Sequence, residues 1–220
     1  YVIGLLEPAL WEGGYYPVFQ PVVDAQTGLP LGAEVLLRLK DPYGGTIFPG
    51  EFIPLAEEMD LITSIDWMVL EMAIQFFSLH KDCGLKWFSV NVSSKQYENR
   101  DAVSRILALV DRYHLPPGML KLEITERLII EDIDAAKDTI QMLKAAGVGV
   151  CLDDFGTGYS NLAITMTLPL EYVKIDKSLV ERVPTDPSAH RMLVTIVRGL
   201  KEMGMATVAE GVETQQQRDM

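Results

Sequence analysis

Short runs rich in β-branched and aromatic residues alternate along the chain with longer segments whose apolar positions recur every three or four residues. The period-two runs predict strands over 16–23, 32–39, 87–92, 120–124, 148–153, 172–175 and 206–209. The helical spacing predicts helices over 51–59, 63–81, 101–113, 132–146 and 189–203. The punctuation agrees: Gly147 and Gly204 follow two of the helices, and Pro116-Pro117-Gly118 break the chain before the fourth strand. Repeated βα units make this an α/β chain built on a parallel sheet, and a barrel and an open doubly wound sheet both satisfy the pattern. The turn at 24–30 leaves no room for a crossover helix, so the first two strands must pair antiparallel.

Composition narrows the class. At 220 residues, 48% of them hydrophobic and 23% charged, the chain has the make-up of a globular domain, and no Pro/Ser-rich linker divides it, so 1–220 is expected to be one domain. The most apolar stretch, 68–79, is interrupted by Glu71 and Gln75 and falls short of the roughly 18 residues a membrane span needs, which predicts no membrane contact. The chain opens at Tyr1 with no secretion signal, as a cytoplasmic domain cut from a longer protein would. Cys83 and Cys151 lack zinc or disulfide spacing and are expected to be buried in a reducing cytosol. A formal net charge of −12 argues against binding DNA or RNA polymers, so a phosphate ligand needs cations placed at its own site.

The strand ends carry the chemistry. Glu34 shares a face of the second strand with Leu36 and Arg38. Asn91 closes the third, Glu123 the fourth and Asp153-Asp154 the fifth; Lys174 and Asp176 share a face of the sixth, and Glu210 closes the seventh. In a barrel, strand ends and the loops after them build the active site. One polar residue at a strand end ordinarily caps a helix or ties a loop. So many acids together are costly without cations, and all-oxygen donors suit Mg²⁺ or Mn²⁺ rather than zinc. Two adjacent acids can serve paired ions, which activate a water and stabilise the leaving oxygen of a phosphodiester.

Other signals carry less. Gly156-Thr157-Gly158 lacks the third glycine of a dinucleotide fingerprint, because Asn161 stands there, and reads as a glycine loop over a site. The sequon Asn91-Val92-Ser93 falls at a buried strand end. His80, His114 and His190 are isolated and read as surface residues.

Read as words, the strand ends form a set. Glu34-Val35-Leu36-Leu37-Arg38 resembles the ExLxR motif that names the EAL domain family, with Val in place of the usual Ala. The resemblance continues through Asn91-Val92-Ser93, Leu122-Glu123-Ile124-Thr125-Glu126, Asp153-Asp154-Phe155-Gly156, Val173-Lys174-Ile175-Asp176 and Ala209-Glu210-Gly211-Val212-Glu213-Thr214. It implies a TIM-like (β/α) barrel with the first strand antiparallel to the others, and hydrolysis of cyclic di-GMP to linear pGpG with Mg²⁺ or Mn²⁺, as two ions. It further implies Glu34, Asn91, Glu123, Asp153 and Asp154 as metal ligands. Lys174 and Glu210 join Glu34 as catalytic residues by holding or activating the attacking water. Gln20, Leu36, Arg38, Asp176 and Glu213 are the implied nucleotide contacts, with Arg38 a bidentate phosphate partner. Glu126 is the implied anchor of the loop 155–162.

The family pattern continues through a further helix and a strand bearing a glutamine, whereas this sequence stops at Met220, so the expectation is an EAL domain lacking that last helix and strand. The resemblance also implies a homodimer, and attached sensor or diguanylate-cyclase-like domains, with the cytoplasmic part of a membrane-anchored protein as one alternative setting. The rival reading is a catalytically silent cyclic di-GMP receptor, whose usual mark is loss of metal ligands; those ligands are present here.

Overall fold

The polar turn acts as expected. β1 (Tyr15–Val23) and β2 (Pro30–Lys40) pair antiparallel, with Tyr15 opposite Leu39 and Gln20 opposite Glu34. Between them the Asp24 carboxylate accepts from the Gln26 N–H and from both the N–H and hydroxyl of Thr27. Along β2, Ala33, Val35, Leu37 and Leu39 are buried while Glu34, Leu36 and Arg38 are half-buried, the alternation of a pleated strand. β3 (Thr46–Ile47) folds back antiparallel on Leu39 and Lys40, and β4 (Trp87–Asn91) runs parallel to β2 with Glu34 opposite Ser89.

The computed structural model describes residues 1–93, 96, 101–126, 132–157, 165 and 167–219. The chain divides into two compact units, Tyr1–Leu120 and Lys121–Met220. In the first, α1 (Ile3–Glu12), α2 (Pro49–Glu58), α3 (Ile62–Leu79) and α4 (Ala102–Arg112) accompany the strands. α3 packs on β1 and β4: Phe77 stacks on Phe88 with ring centroids 4.2 Å apart, and Phe76 stacks on Phe19 at 4.5 Å. Its 18 residues, of mean hydropathy 1.3, are long and apolar enough to cross a membrane, which overturns the expectation that no segment approaches that length. Within this unit its apolar face, from Ile65 to Phe77, is buried in the core.

The second unit holds β5 (Leu120–Thr125, whose first residue ends the first unit), β6 (Gly149–Phe155), β7 (Tyr172–Ile175) and β8 (Ala206–Ala209), each parallel to the next. α5 (Ile133–Ala145) packs on β6 and α7 (Pro187–Glu202) on β8, with α6 (Lys177–Val180) and α8 (Gln215–Asp219) as short additions. α5 starts where Asp132 accepts the Ala135 N–H. α7 starts two residues ahead of its apolar periodicity because Asp186 accepts the Ser188 and Ala189 N–H groups and Pro187 suits a first turn.

α1, β3, α6 and α8 were not expected from the pattern. Pro8 interrupts α1, and the other three, at two, four and five residues, are too short to display a period. Cys151 is buried as expected, whereas Cys83 is exposed, because it lies in the polar turn after α3 rather than on its apolar face.

Candidate active site

In the second unit the site is organised around Lys174. Period two on β7 puts Tyr172 and Lys174 on one face, and Glu123 on β5 and Tyr172 each stand opposite Cys151 on β6. Beyond Cys151 the ladder changes: Leu152 opposes Val173, but the next pair is Phe155 with Ile175. Asp153 and Asp154 therefore share a single opposing residue, Lys174. This β-bulge places two acids against one base, with Asp154 in the left-handed region at φ 56° and its N–H donating to Asp153 Oδ1 at 2.9 Å.

The Lys174 ammonium meets Glu123 Oε2 at 3.0 Å, Asp153 Oδ1 at 3.1 Å and Glu210 Oε1 at 2.8 Å. Lys174 and Glu123 are almost fully buried while Glu210 is partly exposed, so the Lys174 ammonium is shared among three carboxylates and water contributes least at Glu123. Glu210 follows β8 and is held there by its own N–H, which donates to the Ile175 carbonyl at 3.0 Å. Carboxylate oxygens of Asp153, Asp154 and Glu210 lie within 4.8 Å of one another. Hard oxygen donors at that spacing fit a divalent cation, which makes this a candidate metal-binding cluster.

In the first unit the Asn91 amide donates to Glu34 Oε1 at 3.3 Å, so those two expected ligands are together. Arg38 donates to the Leu37 carbonyl at 2.8 Å and lies 5.1 Å from the centroid of the exposed Phe48 ring. Leu36 is half-buried on the same face, and Gln20 is exposed across the ladder from Glu34.

The remaining expected residues are Asp176, Glu213 and Glu126. Asp176 caps α6 by accepting the Ser178 N–H; burial pushes its carboxyl up, but hydrogen bonds from Ser178 and Lys177 outweigh that and hold it below its ordinary range. Glu213 is exposed, its N–H donating to Gln217 Oε1 at 2.8 Å. Glu126 is half-buried just past β5, and 158–162 of the loop it was expected to anchor lie outside the described residues.

Two residues escaped the sequence reading. Asp66, on the buried face of α3, accepts from both the hydroxyl and the N–H of Ser93, two residues beyond Asn91; burial pushes its carboxyl up to about 6. A lone acid on an apolar helix face was the available signal. Tyr172 is buried and its hydroxyl donates to Glu123 Oε1 at 3.3 Å. Its two-residue spacing from Lys174 was visible in the sequence.

The sequence model of the EAL domain family matches residues 5–220. The chain belongs to the EAL domain family. Pseudomonas aeruginosa MucR, named as a bifunctional diguanylate cyclase/cyclic di-GMP phosphodiesterase, is 37% identical over 203 residues, which cover 91% of this chain and 30% of MucR. Escherichia coli PdeG, named as a probable cyclic di-GMP phosphodiesterase, is 34% identical over 217 residues, 98% of this chain and 43% of PdeG. The chain thus spans less than half the length of either relative. The structure of the MucR phosphodiesterase in complex with c-di-GMP superposes with a TM-score of 0.91 at 35% identity, covering 99% of this EAL chain and 89% of that one. The fold is accordingly the TIM-like α/β fold of EAL domains, with its first strand antiparallel.

Proposed function

We propose that this EAL domain is a phosphodiesterase that hydrolyses cyclic di-GMP to linear pGpG with Mg²⁺ or Mn²⁺, bound as two ions. The observation that carries the reading is the buried Lys174 among Glu123, Asp153 and Glu210, with Asp154 beside them. The names of MucR and PdeG and the c-di-GMP complex of MucR support the choice of substrate.

Glu34, Asn91, Glu123, Asp153 and Asp154 hold the metal in this reading. The cations, when bound, lower the pKa of a water and stabilise the departing oxygen. The chain's own groups do the rest. Lys174 and Glu210, 2.8 Å apart, orient the attacking water, the Lys174 ammonium by donating to its oxygen and the Glu210 carboxylate by taking its proton, with Glu34 beside them in function. The water oxygen bonds to phosphorus, and the P–O3′ bond breaks with its electron pair on the 3′ oxygen, which receives the proton taken from the water. Arg38 engages a phosphate, while Gln20, Leu36, Asp176 and Glu213 contact the nucleotide.

Incubation with cyclic di-GMP and Mg²⁺, followed by separation of cyclic from linear nucleotide, tests this: pGpG should accumulate, excess chelator should stop it, and Ca²⁺ should not replace Mg²⁺. Binding without cleavage would instead identify a silent receptor.

The domain is further proposed to be a cytoplasmic part of a longer protein with sensor or diguanylate-cyclase-like segments, in keeping with MucR and with the E. coli oxygen sensor protein DosP, of which it spans 26%. It is proposed to act as a homodimer, with Glu126 anchoring the loop 155–162. Sedimentation together with activity over one concentration range decides both: a fully active monomer, or an active Glu126→Ala variant, would contradict them.

A further inference from the structure

Three neighbouring strands build a second device around Glu123. Lys121 and Glu123 lie on one face of β5, Gly149 and Cys151 oppose them on β6, and Tyr172 opposes Cys151 on β7. The β6 residues are small where the flanking side chains must meet. A Cβ on Gly149 would come within 2.8 Å of the Glu171 carboxylate, so its absence lets Glu171 reach over β6 to pair with Lys121. Cys151, fully buried, leaves room in the same way for the Tyr172 hydroxyl to reach Glu123 Oε1 at 3.3 Å. The Lys121 ammonium lies 5.3 Å from the centroid of the Tyr172 ring, a cation–π contact that sets the ring's position. The other Glu123 oxygen, Oε2, meets Lys174 at 3.0 Å.

Glu123 is thus gripped at both oxygens, by an ammonium that also serves Asp153 and Glu210 and by the Tyr172 hydroxyl. The two grips differ in consequence. Lys174 supplies charge, whereas Tyr172 supplies direction: each carboxylate oxygen has a second lone pair, and a hydroxyl on one fixes where the others point. We propose that Tyr172 is a positioning residue that pre-orients Glu123 for divalent metal, held in place by Lys121 and given passage by Cys151. The proposal rests on the reading of Glu123 as a metal ligand. Groups that orient a ligand in this way typically change metal affinity by 10- to 100-fold when removed.

The test is Tyr172→Phe, which keeps the ring and deletes the hydroxyl, examined by calorimetric titration with Mn²⁺ alone and by thermal melting. The variant should melt within a few degrees of wild type, bind Mn²⁺ on the order of tenfold more weakly, and recover turnover at saturating Mn²⁺ with an unchanged KM for cyclic di-GMP. Equal Mn²⁺ affinity in variant and wild type overturns the proposal, as does a wild type that binds no Mn²⁺. If Tyr172→Phe does not fold, Cys151→Val decides: the added methyl narrows the passage and should weaken Mn²⁺ binding in the same way, and unchanged affinity there refutes the role. A wild type that binds Mn²⁺ but leaves cyclic di-GMP intact removes the phosphodiesterase reading, while the calorimetric comparison still judges Tyr172.

Discussion

At the scale of single residues, Lys174 concentrates the most risk. Taking it away leaves Glu123, Asp153 and Glu210 without their shared cation, and breaking a buried ion pair typically costs about 3–5 kcal/mol. Lys174→Met should therefore lower the melting temperature sharply, and millimolar Mn²⁺ should raise it by more than in wild type, because the ion then supplies the missing charge. An equal Mn²⁺ effect on both proteins would contradict this. Asp66 gives a prediction with a definite sign. Burial raises its carboxyl to about 6 from 3.8, so the folded state holds a proton that the unfolded state releases first. Its contribution to stability is present below pH 4, falls as pH rises through 6, and is constant above that, a loss on the order of 3 kcal/mol. Asp66→Asn cannot ionise, so its stability relative to wild type should climb between pH 4 and 6 in denaturant melts; a difference independent of pH would refute the assignment. Of these two residues the motif exposed Lys174 and hid Asp66, because only folding reveals that an acid on a helix is denied water.

At the scale of elements, the bulge in β6 decides the geometry of the acids. A regular strand would send Asp153 and Asp154 to opposite faces; with the extra residue and the left-handed φ of Asp154, Asp153 meets Lys174 while carboxylate oxygens of both acids stay within 4.8 Å of Glu210. The chain then turns at Gly156, with φ 108°, where an added Cβ would fall 2.1 Å from Leu179 Cδ1 on α6. Both conformation and space exclude a side chain there. Gly156→Ala should cost about 2–3 kcal/mol, against about 1 kcal/mol for Gly44→Ala, where φ is 93° but nothing lies within 4 Å. Urea denaturation of the two variants compares them, and equal losses would show that the contact with Leu179 is not limiting. The glycine loop was legible in the sequence as a loop; the reason for its first glycine was not, since Leu179 is 23 positions away.

For the whole molecule, the two thiols report on the fold directly. Burial pushes the Cys151 thiol up, so it stays protonated and covered, while Cys83 is exposed. A disulfide-forming thiol reagent at pH 8 should modify one cysteine in the native protein and two after unfolding. Rapid reaction of both would mean that the strand carrying Cys151 opens under native conditions. Metal supplied with the reagent tests whether filling the acidic cluster slows that opening further.

Local chemistry determined what the sequence could disclose by itself. Alternation and helical spacing set the α/β class, the seven-residue turn forced β1 against β2, Gly147 marked the end of its helix, and the ExLxR-type words named the family. Each of those signals is carried by residues within a few positions of one another. Tertiary structure alone decided that Lys174 meets three particular carboxylates, that Tyr172 reaches Glu123 past Cys151, and that Asp66 holds Ser93 from within the core. Those contacts depend on strand register and helix packing, which join residues far apart in the chain, and a strand slipped by one residue would turn its own share of Glu123, Tyr172 and Lys174 to the other face.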